Sequence, residues 1–493
     1  MLIALLTAAS LSIDKGVLAD FRKYFRKYKD TPSRVEAVMA LDREPSPEVV
    51  ELLVPVLDDD DPDVARAAKR VLGSLPSAGA IEALRVALDE AKKPDEQGAL
   101  LEAVQLGGYE SARPQVEQLL GSSSADVRRS AIGALVQVGG PETAGLILAL
   151  CEDKDDDVRC AALDGLAALG SKELLAPALE ALGDKEWRVR ASAIAALGKV
   201  RDKSSIGPLI ERMQVEEGRL ITDIAGALES LTAKRFGVYV EDWVDFWGRV
   251  GDRFEIPTDA ELATLKAALE ARARKYEPGQ VVDYHGIEST SEGILFLVDI
   301  SGSMNDEVVE RERFAHAGYP SFRKMDVVAT ELARTIARLD SSVRFNIYAF
   351  ATEIRPWKKK LTSASSLNKS NAQDWVMGLE PMGIVNSAAQ AAGLVPAGSR
   401  EAGRTNTYGV LMEALGGGVT RAGARGVDTI FFCSDGLPST GRFIDPVDIM
   451  DEVLRVNKTR RIVIHTIALG PFRKDFMEEL AELNGGIFID LGK

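Results

Sequence analysis

The chain has 493 residues, of which 46% are apolar, and a formal net charge of −15. A chain of this length and apolar content can bury a large core in more than one domain, so it needs no disulfide or metal staple to fold. The acidic balance argues against nucleic acid, whose phosphates it would repel; the best basic run, Lys358-Lys359-Lys360 after Trp357, is short and reads as a solvated strand end.

Residues 1–14 begin with Met1-Leu2-Ile3-Ala4-Leu5-Leu6-Thr7-Ala8-Ala9-Ser10. They have the apolar centre and small-residue end of a secretory signal, but no basic start, and they fall short of the ~15–30 residues such signals have. The expectation is a minimal signal peptide and export to the periplasm or cell envelope. A plain N-terminal helix on a cytoplasmic chain is the alternative. No later run approaches the ~18 apolar residues of a membrane span. The cysteines, Cys151, Cys160 and Cys433, show no CxxC spacing and read as buried thiols, without a disulfide framework or a zinc site.

Residues 30–235 repeat themselves. Asp126-Val127-Arg128, Asp157-Val158-Arg159 and Arg188-Val189-Arg190 place their valines 31 residues apart. Leu220, Val64 and Val35 continue the series. A period of this size means a solenoid of stacked helices. After each valine, Ala and Leu recur at helical spacing and end in Gly, as in Ala131, Ala134, Leu135, Val138 and Gly139, an amphipathic helix with a glycine stop. The Asp before Val64, Val127 and Val158 suits an N-cap or a first-turn acid. The unit near Asp95-Glu96-Gln97-Gly98 departs from the pattern, which predicts a bend or a loosening there. These units resemble HEAT repeats of the short bacterial kind, with an Asp-x-Arg-x-Ala-Ala pattern. The resemblance implies an α-solenoid whose extended surface binds a protein partner, with a pure spacer as the alternative. The acidic runs 58–63 and 152–157 invite a calcium reading. Val158, however, stands where a calcium loop needs its turning Gly, so solvated turns that feed helix caps are expected instead.

Residues 236–290 read as capping helices and a linker. Val240, Trp243, Val244 and Trp247 fall on one helix face that would cover the last repeat, and residues 258–276 read as a connecting helix that stops at Pro278-Gly279.

From 291 to 493 the pattern alternates strand and helix, with strands expected at 293–299, 343–350, 428–434, 462–468 and 486–490. Helices are expected at 325–339, 408–415, 449–456 and 476–483. This is an α/β, doubly wound, mostly parallel sheet with helices on both faces. The run Ile294-Leu295-Phe296-Leu297-Val298 ends in Asp299, followed at alternate positions by Ser301 and Ser303. An Asp at the carboxyl end of such a strand lies where open α/β sheets place ligands, and a carboxylate with two hydroxyls suits Mg²⁺ or Ca²⁺.

Asp299-x-Ser301-x-Ser303, Thr405 in Gly403-Arg404-Thr405, and Asp435 in Cys433-Ser434-Asp435-Gly436 together resemble the von Willebrand factor A domain and its metal-ion-dependent adhesion site. The resemblance implies that Ser301, Ser303 and Thr405 bind a metal directly and that Asp299 and Asp435 act mainly through water. Mg²⁺ fits best, with Mn²⁺ or Ca²⁺ as alternatives. The metal would then capture an acidic side chain of a partner protein. Two insertions depart from the family pattern, 305–321, which holds His316 and Tyr319, and 384–402, rich in Ala, Gly and Ser. His316 reads as an exposed loop residue.

No HExxH, Walker-type loop or G-x-S-x-G elbow is present, and Ser301 and Ser303 have no base partner evident in the sequence. A non-enzymatic interaction or scaffold protein is therefore expected, with one partner at the metal and a second on the repeats. The alternatives are an accessory subunit of an AAA-type ATPase assembly, and a structural scaffold whose metal site is vestigial.

Overall fold

The computed structural model describes residues 15–258, 260–262, 264, 291–308, 311, 318–383, 403–416, 426–469 and 474–491. The signal-peptide reading, most of the connecting helix, His316 and the 384–402 insertion lie outside the described residues. The chain divides into two compact units. One holds Met1–Arg212, Ala227–Lys234 and Trp243–Ile256; the other holds Met213–Gly226, Arg235–Asp242 and Pro257–Lys493.

The first unit is built from helices. The repeat pattern produces α1 (Pro62–Leu72), α2 (Pro94–Gly107), α3 (Ala125–Val138), α4 (Asp156–Ala168) and α5 (Trp187–Val200), with further helical segments between them, Ala78–Glu90 among them. Val64, Val127, Val158 and Val189 are fully buried, which explains the period: each is the first core position of its helix. The acids before these valines, Asp63, Asp126 and Asp157, occupy first turns, where they favour the positive end of the helix dipole. The caps lie two residues earlier. Asp61, Ser124 and Asp155 each accept a backbone N–H.

The deviant repeat does not break its helix. Leu100, Leu101, Ala103 and Val104 are buried along α2, and only a capping side chain is missing, because Lys93 stands at that position. The arginine of the repeat has a definite task. Arg128 Nη1 donates to Ser122 O at 2.8 Å, Arg159 Nη1 to Asp153 O at 2.9 Å and Arg190 Nη1 to Asp184 O at 2.9 Å, in each case six residues back. In the deviant repeat Gln97 Nε2 takes this role and donates to Ala91 O at 3.0 Å.

The acidic run 152–157 is used in the same way. Asp153 pairs with Arg128, Asp155 caps α4, and Asp156 and Asp157 pair with Arg188. α6 (Val240–Val250) forms as expected, but its apolar face is narrower than the sequence pattern implies. Trp243 is fully buried while Val244 is exposed.

In the second unit seven strands form one sheet among the described residues: β1 (Gly293–Asp299), β2 (Arg344–Phe350), β3 (Ile354–Pro356), β4 (Thr362–Ser363), β5 (Thr429–Ser434), β6 (Val463–Ala468) and β7 (Phe488–Asp490). The order is β3-β2-β1-β5-β6-β7, and β4 also pairs with β2. β2, β1, β5, β6 and β7 are parallel neighbours, and β3 and β4 are antiparallel to β2.

The helices are α7 (Lys324–Arg338), α8 (Ser366–Met377), α9 (Thr407–Ala414), α10 (Pro446–Arg460) and α11 (Lys474–Leu483). They cover both faces. Ile294, Phe296 and Val298 pack with Met325, Val328, Leu332 and Val376 on one side. Leu295 and Leu297 pack with Leu411, Ile449, Val453 and Leu480 on the other. The period-2 alternation of β1 is thus buried twice over, which is why its sequence reads as an unbroken apolar run.

From β1 the chain moves to β2 on one side, and β5 then adds on the other side of β1. The strand order reverses between β1 and β5, and that switch point is where an open parallel sheet has a crevice at its carboxyl edge.

Candidate functional site

Asp299 ends β1, and Asp435 directly follows Ser434, the last residue of β5, so both acids flank the switch point. Asp299 is fully buried. Its Oδ1 accepts from the backbone N–H of Ser301 at 2.7 Å, and its Oδ2 accepts from Ser434 Oγ at 2.5 Å. Burial pushes its pKa up to about 7, the nearby Asp435 carboxylate adds to this, and the two hydrogen bonds oppose it.

The hydroxyls converge on the same place. Ser301 Oγ and Ser303 Oγ are 3.2 Å apart, and Ser303 Oγ donates to Asp435 Oδ1 at 2.8 Å. Thr405 arrives from a third loop. A Cβ built on Gly436 would lie 3.2 Å from Thr405 Oγ1 and 3.6 Å from Ser303 Oγ, so these two oxygens border one small space beside Gly436.

Backbone contacts hold the three loops together. Gly302 N–H donates to Gly403 O at 3.0 Å, Met382 N–H to Ile300 O at 2.7 Å, and Ser439 N–H to Thr405 O at 3.0 Å. Ser439 Oγ accepts from Thr405 N–H at 2.9 Å. Gly403 is required at its position, because a Cβ there would lie 2.4 Å from Met382 O. Asn406 caps α9 by accepting from Gly409 N–H, which fixes the residue after Thr405.

All five residues expected from the sequence, Asp299, Ser301, Ser303, Thr405 and Asp435, are therefore gathered at one edge of the sheet. Three further residues belong to the cluster and are not evident in the sequence pattern. Ser434 and Ser439 are hydroxyls next to residues already singled out. Lys324, the first residue of α7, donates from Nζ to Asp435 Oδ2 at 2.6 Å, with its side chain buried. Among the described residues no group of three or more His, Cys, Asp or Glu side chains is placed to hold a metal. The carboxyl-edge cluster is of a different kind, two carboxylates and three hydroxyls, all hard oxygen donors. His465 lies apart from it, inside β6, where it stacks on Phe431 and its Nδ1 accepts from Ile487 N–H at 3.0 Å.

The family description of HEAT repeats matches residues 19–105, 88–159 and 143–229. No curated protein matches the chain. Among solved structures, the chain is similar to a von Willebrand factor type A protein from Catenulispora acidiphila, at 15% identity and a TM-score of 0.29, over 41% of this chain and 39% of that one. It is also similar to the complex of CpcE and CpcF of phycocyanin lyase from Nostoc sp. PCC7120, at 17% identity and a TM-score of 0.27, over 50% of this chain and 98% of that one. The match to Kap121p has 11% identity and a TM-score of 0.35, over 52% of this chain and 33% of that one. Among the described residues no helix is long and apolar enough to cross a membrane.

Proposed function

We propose, from an N-terminal part that is an array of HEAT repeats and a C-terminal sheet consistent with the von Willebrand factor A fold, that this chain is a non-enzymatic interaction protein. In this reading the array offers a surface to one protein, and the carboxyl-edge cluster holds a divalent ion that captures an acidic side chain of another.

The observation that carries the reading is the donor set. Five side-chain oxygen donors from three separate loops meet at the switch point, and none is a soft ligand. Hard oxygens in this number suit Mg²⁺, with Mn²⁺ as a substitute. Ser301, Ser303 and Thr405 would supply neutral oxygens, and Asp299 and Asp435 the negative charge around them. A bound ion would supply an electrophilic centre for a partner's carboxylate. Asp299 fits this role, because a buried carboxylate next to a second carboxylate gains most from a nearby cation. The hydrogen bonds from Ser434 and the Ser301 backbone fix its orientation.

The test is titration calorimetry with Mg²⁺ and Mn²⁺ on the full chain and on D299A/S301A. Saturable binding of one ion, lost in the double variant, supports the site. It would be followed by metal-dependent capture of acidic partners. Absence of binding, together with partner capture indifferent to chelation, overturns the metal reading and leaves the sheet as a scaffold. Phosphatase and peptidase activity with either ion should not exceed that of D299A.

A further inference from the structure

We infer that Lys324 is a built-in counter-cation of the carboxyl-edge cluster, holding it in order without a metal and keeping its affinity for divalent ions low; this rests on the metal reading above. Three observations meet here.

First, Lys324 and Ser303 divide Asp435 between them. Lys324 Nζ takes Oδ2 at 2.6 Å while Ser303 Oγ takes Oδ1 at 2.8 Å. The Asp435 side chain is completely buried and that of Lys324 is 8% exposed, so little water competes for the pair. Second, the position is costly for a lysine. It is the first residue of α7, where the helix dipole opposes a positive charge, and it is buried. The carboxylates are what offset both penalties. Third, the same residue is tied to the Asp299–Ser303 loop through its backbone. Lys324 N–H donates to Asp306 O at 2.9 Å, and Asp306 N–H donates to Ser303 O at 3.0 Å. Lys324 thus clamps the loop after β1 to the residue after β5. The neighbouring Arg323 is engaged elsewhere, with Asp326 and Glu380.

The charge count follows. Around a bound divalent ion both carboxylates are ionised, and with the one ammonium they bring one net negative charge to it. A divalent ion added to it leaves one net positive charge, which a partner's carboxylate would neutralise. Without Lys324 the loaded cluster would already be neutral. The lysine therefore repels the ion and, once the ion is bound, favours an acidic ligand.

The experiment is Mg²⁺ and Mn²⁺ calorimetry on the full-length wild type, K324M, K324R and D299A/S301A, with thermal unfolding in chelator alongside. K324M should bind the ions about tenfold more tightly or better, K324R should stay near wild type, and metal-free K324M should unfold at a lower temperature. A structural lesion would not tighten binding. If K324M cannot be purified folded, K324Q keeps a donor for Asp435 without the charge and should show the same gain. If wild type binds, D299A/S301A does not, and K324M or K324Q binds no tighter than wild type, the inference is overturned and the metal site stands. If neither wild type nor the neutral Lys324 variants bind any ion, the metal reading falls and the inference with it.

Discussion

Arg159 reaches 25 residues forward to Asp184, donating from Nε and Nη2 to both carboxylate oxygens at 2.8 and 3.0 Å. Arg128 makes the same step to Asp153, and Arg34 makes it to Asp59. The bidentate fork also reaches the backbone six residues back, so one arginine joins its own helix entry to the turn of the next repeat. The side chains of Arg159 and Asp184 are 10% and 14% exposed. Replacing Arg159 with Met leaves a nearly buried carboxylate without its partner. R159M should lose about 3 kcal/mol of stability in urea unfolding, and R159M/D184N should recover part of it because an unpaired amide costs less than an unpaired charge.

Tyr109 joins two backbone groups at the end of α1. Its hydroxyl accepts from Leu75 N–H at 2.7 Å and donates to Leu72 O at 3.0 Å, in a buried setting. Y109F removes both bonds without changing the ring. It should destabilise the array by about 1–3 kcal/mol, read as an earlier loss of far-ultraviolet circular dichroism in urea.

His465 makes the sheet unit sensitive to acid. Burial, aided by the positive Arg219, holds its pKa down to about 4, against an ordinary value of 6.5. Between these values the unfolded chain binds a proton that the folded chain refuses. Its contribution to stability is therefore complete above 6.5 and is lost as pH falls towards 4, by about 3 kcal/mol in all. H465N offers Oδ1 to the Ile487 N–H that Nδ1 now serves. The variant's stability, from urea unfolding at a series of pH values, should be flatter than wild type over that interval; an equally steep profile would assign the sensitivity to other groups.

Two glycines should respond in opposite directions. G403A forces a methyl to within 2.4 Å of Met382 O and 2.9 Å of Gly383 Cα, prising the start of the Thr405 loop away from the Met382 segment that is bonded to Ile300. Divalent affinity should fall about 10–100-fold, the range seen when supporting contacts of a metal site are lost, with the sheet still folded. Gly98 lies inside α2 with nothing within 4 Å of an added Cβ. G98A should raise stability by about 0.5–1 kcal/mol by restricting the unfolded chain.

Much of this protein is legible in its sequence because the signals are local. The spacing of Val127, Val158 and Val189 marks the helix starts, and the unbroken apolar runs mark β1, β5 and β6 to within a residue or two. The short strands β3 and β4 carry no such signal. They hold three and two residues, β3 contains Pro356, and both exist only because β2 offers them an edge. α8 carries no clear signal for a related reason: its polar run Asn368-Lys369-Ser370-Asn371 masks the burial of Ala372 and Val376.

The sequence by itself determined the repeat period, the strand–helix alternation, and the five side chains Asp299, Ser301, Ser303, Thr405 and Asp435 that meet at the switch point. The first two rest on short-range periodicity, Asp299, Ser301 and Ser303 on residue types at the end of a predicted strand, and Thr405 and Asp435 on the resemblance to the von Willebrand factor A motif. Only the tertiary structure decided which partners those side chains keep. Lys324 lies 111 residues from Asp435 and Ser434 lies 135 from Asp299. Such pairs are set by the crossover that places β5 beside β1, a long-range choice fixed by burying both faces of the sheet at once. The arginine ladder shows the same division. Its pattern is written in the repeats that hold Arg128 and Arg159, but the aspartate that each arginine meets is chosen by how one repeat stacks on the next.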